Sequence, residues 1–169
     1  MDDPEFREFV QVHYADLLRT AYLLTGNRDA AQDLVHVALL KVMRHWQRVD
    51  EPMAYVRRAM VNERTSRWRR IGLRELLTST VPERVGPDST DGVAVRDELL
   101  AALDRLPVRM RTVLVLRYWE DLPEAEVAAV LGCSLGTVKS QAARGLARLR
   151  EVLAEPRPRM AGGLLGERA

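Results

Sequence analysis

Between Glu124 and Arg150 the chain reads EAEVAAVLGCSLGTVKSQAARGLARLR, and here residue type and spacing point most directly to a chemistry. Val127, Val130 and Leu131 recur at helical spacing before Gly132, which tolerates the positive φ of a sharp turn. Ser134 offers the N-cap of a following helix. In that helix Val138, Ala142, Leu146 and Leu149 form one apolar stripe, leaving Thr137, Lys139, Ser140, Gln141, Arg144 and Arg148 on the outer face. No acidic residue stands between Ser134 and Arg150. A generic surface helix mixes both signs, so a face of one sign suits a polyanion. Two short helices, a tight turn and a cationic second helix are the sequence form of a DNA-binding helix-turn-helix. Thr137, Lys139, Ser140 and Gln141 would reach base edges, while Arg144 and Arg148 would hold phosphates.

A second cationic cluster runs from Arg57 to Arg74 and includes Arg58, Arg64, Arg67, Arg69 and Arg70. The whole chain carries a net charge of only +2, so nucleic-acid binding must come from such local clusters rather than from bulk electrostatics. So many like charges on one helix repel one another, and a polyanion would relieve them. The single cysteine, Cys133, excludes an internal disulfide and a cysteine-based zinc site. His13, His36 and His45 are scattered without partners at ligand spacing, and no phosphate loop is present. Neither catalysis, nor a metal, nor a cofactor is expected. The start MDDPEFREF lacks the basic residues and apolar core of a signal peptide, and about eighteen apolar residues never run uninterrupted. A cytoplasmic protein without membrane insertion is the expectation.

The elements that position these clusters read as helices throughout. Phe6, Phe9, Val10, Tyr14, Leu17, Leu18, Ala21 and Leu24 give a first amphipathic helix closed by Gly26-Asn27. A second begins near Asp29, carries Leu34, Val35, Ala38, Leu39, Val42 and Trp46, and breaks before Pro52. A third runs from Met53 to about Trp68. Thr, Ser, Pro, Gly and Asp then accumulate toward Thr90, the composition of a linker. Helical pattern resumes at Val95, pauses at Pro107, and continues into the helix-turn-helix. The fold class is therefore all-α: two small helical domains, residues 1–72 and 95–154, joined by a flexible linker at 73–94 and followed by a flexible tail at 155–169.

This arrangement resembles the bacterial RNA polymerase sigma factors, and more narrowly their two-domain, extracytoplasmic-function group. The likeness spans roughly residues 5 to 153 and is carried by DAAQDLVHVALLKVMRHW, AYVRRAMVNERTSRWRR, LPVRMRTVLVLRYWEDL and LGCSLGTVKSQAARGLARLR. It implies that the helix bearing Asp33, Leu34 and Val35 docks on the clamp coiled coil of the polymerase largest subunit. Many members read Gln-Glu and a large apolar residue where this chain has His36-Val37-Ala38-Leu39, which implies a weaker polar docking contact. Residues 47–70 correspond to the family's minus-ten-recognition and melting surface, which places Arg48, Asp50, Tyr55, Arg58, Asn62, Arg67, Trp68 and Arg69 against the opened strand. The segment from Leu106 to Leu122 would meet the flap of the second-largest subunit, and the last long helix would read the minus-thirty-five element. Many relatives carry arginine at Gln141, so adenine rather than guanine is the expected base.

The resemblance further implies core RNA polymerase and promoter DNA as partners, with a sequestering anti-sigma factor commonly present. Two other readings compete. An ordinary helix-turn-helix regulator would explain the C-terminal half equally well, but neither the arginine-rich third helix nor the lack of a dimerisation heptad. A protein-binding adaptor, whose arginines merely solvate it, would bind no promoter.

Overall fold

The computed structural model describes residues 3–77 and 94–156. Most of the expected linker and the tail beyond Pro156 lie outside them. Among the described residues all regular structure is helical.

Helix α1, Pro4–Thr25, starts with Pro4 in its first turn and with the Asp3 carboxylate accepting from the backbone N–H groups of Glu5 and Phe6. It ends at Gly26, whose φ of 72° closes the helix in the left-handed region. The side chain of Asn27 immediately accepts from Ala30 N–H and opens α2, Arg28–Met43. Helix α3, Pro52–Leu77, returns across both. Leu17, Ala21, Leu24, Leu34, Val35, Ala38, Val42, Val56 and Met60 fill the space among the three. Each large side chain withdrawn in this way contributes roughly 1.5–3 kcal/mol.

Two boundaries differ from the periodicity. Helix α2 stops at Met43, and Trp46 enters a 3-10 turn, Trp46–Arg48, rather than prolonging the helix. The turn brings its ring to 5.2 Å from Phe6 and 5.3 Å from Phe9, measured between centroids. Helix α3 runs past Trp68 to Leu77, into the expected linker. Its last turns, rich in Arg, Leu and Glu, have high helix propensity although no apolar stripe announces them.

The second half comprises α4, Ala94–Asp104, α5, Val108–Leu114, α6, Glu124–Leu131, and α7, Leu135–Ala154. Between α5 and α6 the chain passes through a π turn, Val115–Trp119, in which Glu120 N–H reaches back to the carbonyl of Val115. Side chains in and next to this turn divide between two cores. Val113 and Leu116 join a core with Leu122, Val127, Val130, Val138 and Ala142, whereas Val115 enters the core of α1–α3. In exchange, Val61 of α3 is packed in the second core. The two halves therefore share buried surface, with α1 against α4 and the π turn, and α3 against α6.

Candidate nucleic-acid interface

The helix-turn-helix forms as its spacing requires. Gly132 takes φ 63° at the end of α6, and the Ser134 hydroxyl accepts from Thr137 N–H at 3.1 Å. Val138, Ala142, Gly145 and Val152 are buried along α7. Leu146 and Leu149, expected in that stripe, are only half-buried and line a groove between the two halves of the molecule. Gly145 takes the place at the core: a Cβ there would stand 3.1 Å from Leu114 Cγ, so its lack of a side chain sets the close approach of α7 to α5.

The opposite face of α7 is polar. Lys139, Ser140, Arg144 and Arg148 are exposed, while Thr137 and Gln141 are half-buried. The Thr137 hydroxyl lies 2.9 Å from that of Ser134, so it belongs partly to the cap, and Ser140 donates to the carbonyl of Thr137. Lys139 is held loosely, 3.9 Å from Glu124, and Arg148 pairs at 3.1 Å with Glu151, the residue that immediately follows the stretch free of acidic residues. Both pairs are solvent-exposed and readily exchanged for phosphate.

On the first half, Arg48 and Asp50 are exposed in the loop before α3. The loop is tied to the start of α1 by Gln47, which donates to Asp3 at 2.6 Å. Tyr55 is exposed, its ring 6.3 Å from that of His45, so it belongs to the surface and not to the core. Arg58 and Asn62 are exposed along the same side of α3. The side chains of Trp68 and Arg69 lie outside the described residues.

Four arginines of α3 already have partners within the protein, so part of their expected repulsion is relieved without a polyanion. Arg67 pairs with Glu63 at 3.2 Å and approaches Asp33 at 4.0 Å. Arg57 binds Glu120 at 2.6 Å, Arg64 donates to the carbonyl of Leu24, and Arg58 donates to the carbonyl of Ala129. Glu63, held by the Lys41 ammonium and then by Arg67, has a pKa lowered from the usual carboxylate value despite its burial. Burial pushes the pKa of Arg64 down, with the charge of Arg111 adding to the effect. Apart from Glu63, one turn from Arg67 on the same helix, the partners lie in distant sequence, so α3 read alone shows most of the charges without what they contact.

Of the three expected docking residues, Asp33 is exposed, whereas Leu34 and Val35 retain 1% and 0% of their surface and serve the core. The same face of α2 carries His36, Leu40 and Met43, the last two exposed at 39% and 43%. Asp33, His36, Leu40 and Met43 follow helical spacing and form one stripe. Sequence reading passed over Leu40 and Met43, although the doublets Leu39-Leu40 and Val42-Met43 put an apolar residue outside the core stripe. Among the described residues no group of His, Cys, Asp and Glu is placed to hold a metal ion, and no helix is long and apolar enough to cross a membrane.

Residues 9–73 match Sigma-70 region 2 and residues 96–149 match Sigma-70, region 4. The RNA polymerase sigma-E factor of Streptomyces coelicolor is 42% identical over 152 residues, covering 88% of this chain and 86% of that protein. The ECF RNA polymerase sigma factor SigE of Mycolicibacterium smegmatis is 33% identical over 165 residues, covering 90% of this chain and 63% of that one. Among solved structures, the sigma factor RpoE of Bartonella quintana, in complex with the anti-sigma factor NepR, superposes with a TM-score of 0.76 at 24% identity, over 92% of this chain and 100% of that one.

Proposed function

This chain belongs to the sigma-70 family of RNA polymerase sigma factors, in its extracytoplasmic-function group, and we propose how its surfaces divide the work of starting transcription. The polar face of α7 reads the minus-thirty-five element in the major groove. Lys139, Ser140 and Gln141 meet base edges, Thr137 holds the turn and reaches the same groove, and Arg144 and Arg148 fix the helix on phosphates. The loop at Arg48 and Asp50, with Tyr55, Arg58, Asn62, Arg67, Trp68 and Arg69 along α3, receives the minus-ten strand. Exposed Tyr55 supplies a face on which an unpaired base stacks, and the arginines follow the backbone.

The stripe of Asp33, His36, Leu40 and Met43 docks on the clamp coiled coil of the polymerase largest subunit, with Leu34 and Val35 fixing the helix from beneath. The exposed Tyr118 and Trp119, at the end of the π turn, face the flap of the second-largest subunit. The protein makes and breaks no covalent bond; nucleotidyl transfer belongs to the polymerase, and the site of action is the cytoplasm. A sequestering anti-sigma protein would find its seat in the groove of about 790 Å³ between the halves, where Leu18, Tyr22, Leu99 and Leu149 offer apolar lining and Arg28 and Arg96 line the same cleft. An amphipathic helix with acidic flanks suits that combination.

The observation that carries this reading is the outward face of α7, cationic and free of acid from Ser134 to Arg150, in a chain whose two halves both match sigma-70 regions. Run-off sequencing on genomic DNA with purified core polymerase tests it. The protein should create discrete start sites sharing two spaced upstream motifs, and the Gln141→Ala/Arg144→Ala variant should lose them. Absence of new starts with an active polymerase would return the helix-turn-helix regulator to first place.

A further inference from the structure

The surface that α3 offers to DNA is partly occupied by the protein itself. Glu120, just after the π turn, directs one carboxylate oxygen to the Thr20 hydroxyl of α1 and the other to Arg57 Nε at 2.6 Å. These side chains are well shielded: Arg57 retains 21% of its surface, Glu120 11% and Thr20 is buried. One turn further along α3, Val61 is inserted in the second core, and Arg58 reaches the Ala129 carbonyl of α6. On the other side Arg111 donates to the Leu23 carbonyl near the end of α1 and pairs with Asp104, whose carboxylate lies against Gly26. The two halves are thus joined by an apolar exchange flanked by two polar ties.

We infer that the polymerase-free protein is self-inhibited by this closure, with Glu120 as the latch. Its carboxylate takes the place on Arg57 that a DNA phosphate would otherwise take, while α6 covers the adjoining turn of α3. The consequence for DNA rests on the reading of α3 as the minus-ten surface; the closure itself does not. The chemistry of the interface suits a latch that must release. Arg111 is almost wholly buried with one guanidinium nitrogen left without a partner, a penalty that exists only while the halves are together. Separation hydrates Arg111, frees Arg57 and exposes Val61 and Val115, so a partner that binds the separated halves has a defined equilibrium to pull.

Single-molecule energy transfer tests the closure directly. Dyes are attached at two exposed positions, through Gln32→Cys on α2 and Arg150→Cys on α7, in a Cys133→Ser background. The free protein should show one high-transfer population. Glu120→Lys, which sets two cations face to face, should raise the low-transfer population at least tenfold with helical circular dichroism unchanged. Arg57→Glu combined with Glu120→Lys restores opposite charges and should restore high transfer, which separates loss of the latch from damage to the fold. A free protein already at low transfer, or a Glu120→Lys variant that stays closed while fully helical, overturns the inference. Binding to a fluorescein-labelled single strand of random sequence provides the second readout: Glu120→Lys should tighten it severalfold relative to the starting protein. Opening without tighter binding would leave the latch standing and remove α3 from the DNA surface.

Discussion

At the residue scale, the clearest consequence concerns Gln141. Its amide can pair bidentately with adenine, whereas a guanidinium at that place favours guanine, and a good bidentate pair discriminates by about 1–3 kcal/mol. Gln141→Arg should therefore move the preferred base at one position of the upstream element from adenine to guanine, by roughly tenfold or more in run-off competition between two otherwise identical promoters. Arg144→Ala should act differently, lowering affinity for all sequences alike and reducing the salt dependence of binding by about one ion. Glu63 gives a prediction for stability. Lys41 and Arg67 depress its folded-state pKa, so the stabilisation is complete above its ordinary value of 4.5 and is lost as pH falls through the lower folded value. Thermal melting should thus drop as pH falls below about 4.5, and Glu63→Gln should flatten that part of the dependence. The outward placement of Lys139, Ser140 and Arg144 was legible because their helix is amphipathic and its polar face has one sign. The partners of Arg57 and Arg64 were not, since Glu120 and the Leu24 carbonyl meet them only through long-range folding, whereas the i,i+4 pair of Glu63 and Arg67 is local to α3 and could have been read from spacing.

At the scale of elements, the caps and stripes carried the legible part of the fold. Gly26, Gly132 and Ser134 occupy the helix termini expected of them, while Asp3 and Asn27 supply N-caps that the apolar spacing does not announce. Ser134→Ala removes the acceptor for Thr137 N–H and should destabilise the C-terminal half by about 1 kcal/mol, read as a lower melting temperature. Leu34→Ala should cost more, about 2–5 kcal/mol, because Leu34 is fully enclosed and the helices around it leave a cavity. That variant would bind polymerase weakly through loss of fold, whereas Leu40→Asp on the exposed stripe should leave circular dichroism unchanged and still weaken docking. The π turn was not legible. Its sequence, VLRYW, continues the apolar pattern of α5, and nothing in that pattern marks the wider turn. The end of α3 was equally hidden, because propensity carries the helix beyond the last residue of its apolar periodicity.

At the scale of the whole molecule, Val115 discriminates between the closed and open forms more cleanly than any charged residue. It is 3% exposed, but the core that buries it belongs to α1, α2 and α3, not to its own half of the chain. When the halves separate it faces water, so truncating it changes the energy of the closed form and leaves the fold of either half nearly untouched. Val115→Ala removes two buried carbon atoms, worth about 0.8 kcal/mol each, and the small void adds somewhat more, so closure should weaken by about 2 kcal/mol. Every 1.4 kcal/mol is tenfold in an equilibrium, and the open fraction should rise by about thirtyfold. A polymerase that accepts only the open form binds with an affinity reduced by the fraction that is open. Val115→Ala should therefore tighten the apparent affinity for core polymerase by up to the same factor, measured by titrating the labelled protein with core enzyme. The direction distinguishes this from ordinary damage, since a core-truncating substitution is otherwise expected to weaken binding by unfolding the protein. An unchanged or weaker affinity, with the energy-transfer distribution also unchanged, would mean that the shared core places no restraint on the path to the polymerase.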